Sequence, residues 1–174
     1  MLGRTHALIG ALASSWLLSP LVPRELVAPV LICGALGALL PDLDSPRSLL
    51  TAWQVAGVSP LQPLARVINR TFGHRGALHS LVGWSIASLG FIALGALPFW
   101  NIAASFALSL GYLSHLAADA STKTGIPFLY PRRTRYRLLP KPLRISTGSF
   151  AEDVLSTLLL ILFTCSLLVS LLLS

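Results

Sequence analysis

The sequence predicts an all-α integral membrane protein: a compact bundle of about five transmembrane helices with an interfacial amphipathic helix. Two observations carry this. Hydrophobic residues make up 54% of the 174 residues and charged residues only 11%, whereas a soluble domain carries about 25% charge. The apolar residues are also gathered into five long runs, near residues 7–22, 26–40, 78–97, 102–118 and 154–173. A spanning helix needs about 20 mostly apolar residues, which the third and fifth runs meet easily and the others approach. The same numbers exclude a disordered chain, whose signature is low hydrophobicity. Cys33 and Cys165 both lie in apolar runs and read as small buried hydrophobes, not as a disulfide framework. Chain 1–174 is read as one membrane-embedded domain.

The first run begins after Arg4. Ala11-Leu12-Ala13 faintly resembles a signal-peptide cleavage site, but the apolar run continues past it to Leu18, so the segment is read as a span. The glycines and the many Ala and Ser residues within the runs favour closely approaching helices, hence a bundle over separate anchors.

Charge sets the expected orientation. The formal net charge is +7, and of the thirteen Lys and Arg residues all but Arg24 fall before the first run, in loop 41–77 or in loop 119–153. The positive-inside rule then places the N-terminus and both loops in the cytoplasm and the C-terminus outside. In the first loop, Leu61, Leu64, Ala65, Ile68 and Phe72 follow helical spacing, with Gln62, Arg66, Asn69 and Arg70 opposite. That pattern predicts a helix lying among lipid headgroups. The basic stretch 126–148 has no clean period and reads as a surface loop touching anionic lipid. No nucleic-acid-binding module accompanies it.

Polar residues are few, and their positions coincide. His6 starts the first run, Asp42 and Asp44 close the second, and His74 and His79 open the third. His115 and Asp119 end the fourth, and Glu152 and Asp153 precede the fifth. In the expected topology every one of these positions is at the cytoplasmic end of its helix. Ionisable groups at membrane depth are costly and have partners, so the layer is read as one site.

His and Asp together suit Zn, Mn or Fe. His115 and Asp119, four residues apart, project from one helical face. Pro41 and Pro46 favour a turn in which Asp42 and Asp44 can both face an ion. The candidate ligands are therefore His6, Asp42, Asp44, His79, His115 and Asp119, for a divalent metal, Zn or Mn, in one ion or two. His74 is a further ligand or an acid–base group, and Arg75 an anion clamp. Glu152 and Asp153 already have a rationale as acids at a helix N-terminus.

Thr5-His6, Pro41-Asp42-Leu43-Asp44, His74-Arg75 with His79-Ser80, and His115 with Asp119, in that order, resemble the YdjM-like family of predicted membrane-bound metal-dependent hydrolases. The resemblance runs from the N-terminus to about Pro131; where the family often has Thr before the second His of its third motif, this chain has Leu78. It implies a metal-dependent hydrolase of the bacterial inner membrane. The expected substrate is a phosphoester or a lipid.

Two other readings compete. A metal-free lipid phosphatase with a His nucleophile would share the His115-x3-Asp119 ending, but the supporting Ser-Arg and Pro-Ser-Gly-His elements are missing. A metal-ion transporter or sensor would place its ligands near the bilayer midplane, whereas here they lie at one face.

Overall fold

The computed structural model describes residues 1–172, with side chains through Val169. Leu173, the last residue of the fifth predicted span, lies outside the described residues. The described residues form six α-helices: α1 Gly3–Leu17, α2 Arg24–Gly37, α3 Gln62–Phe72, α4 Leu81–Gly95, α5 Ile102–Ala120 and α6 Phe150–Leu172. Short 3₁₀ turns join them, and no β-strand occurs among the described residues.

Each of the five apolar runs is mostly helical over its described residues, but they differ in how well they suit a bilayer. By length and composition, two helical segments qualify as spans: Arg24–Asp44 and Phe150–Val169. α4 is apolar but shorter, and α1 has only 15 residues, about 22 Å of helix. α5 has 19 residues, but His115 and Asp119 dilute its apolar character.

Local sequence explains the helix ends. α4 starts at Ser80, whose hydroxyl accepts from the Gly83 amide at 3.2 Å. α5 starts at Asn101, whose side chain accepts from the Ala103 amide at 2.7 Å. Both are N-caps that satisfy an orphan helix donor. α2 follows Pro23, and Pro20 lies just past the end of α1.

α5 is the central helix and packs against α1, α2 and α4. α6 packs on α1, where Ser15 and Ser166 share a hydrogen bond of 3.0 Å. Outward faces are apolar: Val82, Ile86 and Leu89 on α4, and Leu158, Ile161 and Leu162 on α6, are all exposed. Large exposed apolar surfaces of this kind need lipid or a partner.

The α1–α2–α5 seam is built from glycines. A Cβ placed at Gly10 or at Gly111 would collide with the carbonyl oxygen of Gly34. Only hydrogen side chains at those points let three backbones meet.

α3 lies where an amphipathic helix was expected. Ala65 is buried, while Leu64 and Val67 are exposed. Asn69, expected on the water-facing side, instead donates to the Asp44 carbonyl at 2.7 Å, tying α3 to the turn after α2. The basic stretch is ordered through isolated bridges, Thr122 with Ile145 and Ile126 with Tyr136, and Ile126 is fully buried.

Candidate metal centre

The glycine seam also sets the polar layer. His6 is one helical turn before Gly10, and His115 is one turn after Gly111. Ala38 is one turn after Gly34. Because the three glycines meet, these three residues meet one turn away. His6 and His115 stack with ring centroids 3.7 Å apart and an interplanar angle of 17°. The Nδ1 of His115 lies 2.7 Å from the Ala38 carbonyl oxygen. A carbonyl can only accept, so Nδ1 carries the proton and Nε2 presents a lone pair. That arrangement holds a metal-ligating imidazole in one tautomer and orientation.

His79 arrives from the 3₁₀ turn Ala77–His79 ahead of α4. Its Nε2 lies 3.1 Å from the Nε2 of His115 and 3.7 Å from Asp42 Oδ1 and Asp119 Oδ2. Asp119 Oδ1 is 3.3 Å from His6 Nε2. His6, His79 and His115 are fully buried, and Asp119 nearly so. The ligand atoms form three overlapping trios: His6, Asp42, His115; His79, His115, Asp119; and Asp42, Asp44, His79. Within each trio all atoms lie within 4.8 Å of one another.

Residues 40–44 form a 3₁₀ turn, which brings Asp42 and Asp44 together against the His79 ring, each nearest a different ring nitrogen. Asp42 faces Nε2, while Asp44 Oδ2 lies 3.1 Å from Nδ1. Asp44 has further partners: Oδ1 is 2.8 Å from His74 Nδ1, and Oδ2 accepts from the Arg75 amide at 2.8 Å. Arg75 holds that amide in place with φ +57°, in the left-handed region. Its guanidinium reaches Asp119 Oδ2 at 2.7 Å and donates to the Thr124 hydroxyl. The Met1 amine donates to Asp119 Oδ1.

Glu152 and Asp153 are not among the converging atoms. The Glu152 carboxylate is buried and accepts from the Leu2 and Gly148 amides, the latter at 2.7 Å. It pins the start of α6 to the start of α1. Asp153 pairs with Arg4 at the surface. Nothing in the sequence marks Glu152 for this work, because its partners are backbone amides. The Ala38 carbonyl and Thr124 were likewise invisible, being a backbone atom and a loop hydroxyl 49 residues from Arg75.

The donor set fits a cation. Both ring nitrogens of His6 and the Nδ1 of His79 are buried without a hydrogen-bond partner. His6 Nε2 and His79 Nδ1 do sit within ion-pair range of carboxylates, at 3.3 and 3.1 Å, but off the hydrogen-bond direction. An unsatisfied buried polar group costs about 1–3 kcal/mol, and a bound ion would remove that cost for a lone pair. Of the six candidate ligands Asp42 is the most accessible, with its side chain 16% exposed. It opens onto a cavity of about 460 Å³ bordered by Leu2, Arg47, Leu49, His74 and Arg75.

An all-helical chain with apolar outer faces and a buried His–Asp cluster at one end is the architecture of a membrane protein with an internal polar site. The chain belongs to the family described as YdjM inner membrane protein, which it matches over residues 1–173. It is 36% identical over 156 residues to the uncharacterized protein YvsG of Bacillus subtilis (strain 168), covering 88% of this chain and 86% of that one. It is 41% identical over 105 residues to the inner membrane protein YdjM of Escherichia coli (strain K12), covering 59% of this chain. The match to the Shigella flexneri protein of the same name has the same extent. These two matches span 50% of each relative's length. No solved structure matches the chain.

Proposed function

We propose that the chain is a membrane-bound, metal-dependent hydrolase that acts on a phosphoester or lipid substrate at the cytoplasmic surface of the bacterial inner membrane. In this reading α1, α2, α4, α5 and α6 cross the bilayer, with the N-terminus inside and the C-terminus outside. α3 lies in the interface. The shorter helices are accommodated by local thinning of the bilayer.

The observation that carries the reading is that three imidazoles and two carboxylates from four separate segments meet in overlapping trios in one polar layer, with the Nδ1 of His115 held by the Ala38 carbonyl so that its Nε2 lone pair faces inward. His79, His115, Asp42 and Asp119 would hold the ion, with His6 stacked beside them. One Nε2 lone pair serves one ion, so the two trios that share His115 describe a single position. A second ion would fall on the Asp44 side of His79.

A divalent ion held there supplies Lewis acidity toward a phosphoryl or carbonyl oxygen. The chain's own groups do the rest. Asp44 orients His74 through its Nδ1 and sets a negative charge 3.1 Å from the Nδ1 of His79. His74, half exposed at the cavity rim, is placed to deliver or take a proton. Arg75 carries positive charge to the cavity wall, where an anionic oxygen would develop.

The test is metal content of detergent-purified protein by mass spectrometry, for the native chain and for Asp42→Ala and Asp119→Ala. Retention of about one or two ions by the native chain, lost in both variants, is expected, with phosphoester turnover dependent on that metal. Retention without turnover would favour the transporter or sensor reading. No retention under metal-replete conditions would favour the His-nucleophile phosphatase.

A further inference from the structure

Beside the candidate metal centre lies a second cavity, of about 390 Å³, between the C-terminal end of α3 and the stretch 127–135. Arg70 forms one wall, Arg133 and Arg135 the other, and the His74–Arg75 turn separates it from the cavity that opens on Asp42. No carboxylate lines it. Arg75 is committed to Asp119 and Thr124, and Arg135 donates to the Gly125 carbonyl at 3.3 Å. Arg70 and Arg133 have no ion-pair partner among the described residues.

The positive-inside rule accounts for basic residues in these loops. It does not account for their meeting, from segments about 60 positions apart in sequence, around one concavity. Guanidinium groups gathered around one concavity that no carboxylate lines make it a favourable place for an anion. Guanidinium forks match the oxygens of phosphate, two at a time. The surroundings also suit an amphiphile: Pro127 and Tyr130 give the cavity an apolar side, and α3, which forms one wall, exposes Leu64 and Val67.

We propose that this cavity binds a phosphate group, and that it holds the phosphate-bearing headgroup of the substrate beside the metal centre. The second part rests on the hydrolase reading; the binding itself does not.

Calorimetry on the full chain in detergent tests it, with inorganic phosphate and dihexanoyl phosphatidic acid as probes. Arg70→Ala/Arg133→Ala removes one group from each wall. Arg132→Ala/Lys141→Ala removes the same charge from the same basic loop, at residues that do not line the cavity. The first pair is expected to weaken binding at least about tenfold, the worth of one charge-assisted hydrogen bond, and the second to leave it within about twofold, as screened surface charges should. Binding of both probes makes phosphate alone sufficient, and binding of phosphatidic acid alone makes the ligand a lipid headgroup. Equal loss in the two double variants, or no binding by the native chain, overturns the proposal.

Metal content of the same samples separates the two readings. A chain that binds phosphate in this way but holds no metal loses the hydrolase reading and keeps the cavity. If turnover is found, Arg70→Ala/Arg133→Ala is expected to raise KM with kcat unchanged; an unchanged KM overturns the substrate assignment.

Discussion

α5 and α6 are of similar length, both are drawn from apolar runs, and they behave in opposite ways. α6 qualifies as a membrane span by composition, yet it packs on α1 alone among the larger helix contacts and exposes most of its apolar residues. α5 does not qualify, yet it is the helix on which α1, α2 and α4 assemble, and Tyr112, His115, Leu116 and Asp119 on it are all buried. Hydropathy measures what a helix offers to lipid. α5 offers little, because its polar residues face other helices and carry the chemistry.

The largest effect that would break this comparison is loss of the ion from one residue of α5. Asp119→Ala is expected to abolish metal retention outright, read by mass spectrometry of the purified protein. Retention at native levels would take Asp119 out of the ligand set and leave His115 as the contribution of α5.

Gly111→Val should come next. It forces a side chain into the Gly34 backbone, and overpacking of this kind costs about 1–3 kcal/mol. Thermal unfolding in detergent should register it, together with weakened metal binding, because the same seam positions His6 and His115. A destabilised variant that binds metal normally would uncouple the seam from the site.

Asp44→Asn is expected to be milder. It keeps the shape but loses the charge that holds His79 and His74, and outer-shell changes of this type cost about 10–100-fold in metal affinity. Complete loss of metal would instead place Asp44 on the ion itself.

Ile161→Ala, on the exposed face of α6, should be smallest, changing unfolding in detergent by no more than about 0.5 kcal/mol. A large effect would show that α6 has a packing partner on that face.

Much of the polar layer was legible because the charged residues are so few. His6, Asp42, His79, His115 and Asp119 could be placed at one end of the helices from their positions in the apolar runs, and the structure brings all five together. Asp44 was read as an equal partner of Asp42. The structure sets Asp44 in a trio with Asp42 and His79, but a turn of unknown pitch leaves side-chain direction open, and only the 3₁₀ geometry shows that Asp44 lies nearest the other ring nitrogen of His79. The five-span reading goes further than length and composition alone, for a related reason. Apolar runs mark burial in lipid and burial in protein alike, and only two of the segments are apolar over a full span.

The amino-acid sequence by itself determined that the chain is helical and apolar on the outside, and which residue types meet at one end of the bundle. Composition and the period of the apolar runs suffice for that. The tertiary structure alone decided that Gly10, Gly34 and Gly111 meet, that the Ala38 carbonyl selects the tautomer of His115, that Glu152 is a clasp between helices, and that arginines from distant segments share one cavity. Each of these depends on a backbone atom or on a contact between remote segments, and neither leaves a periodic trace in the chain.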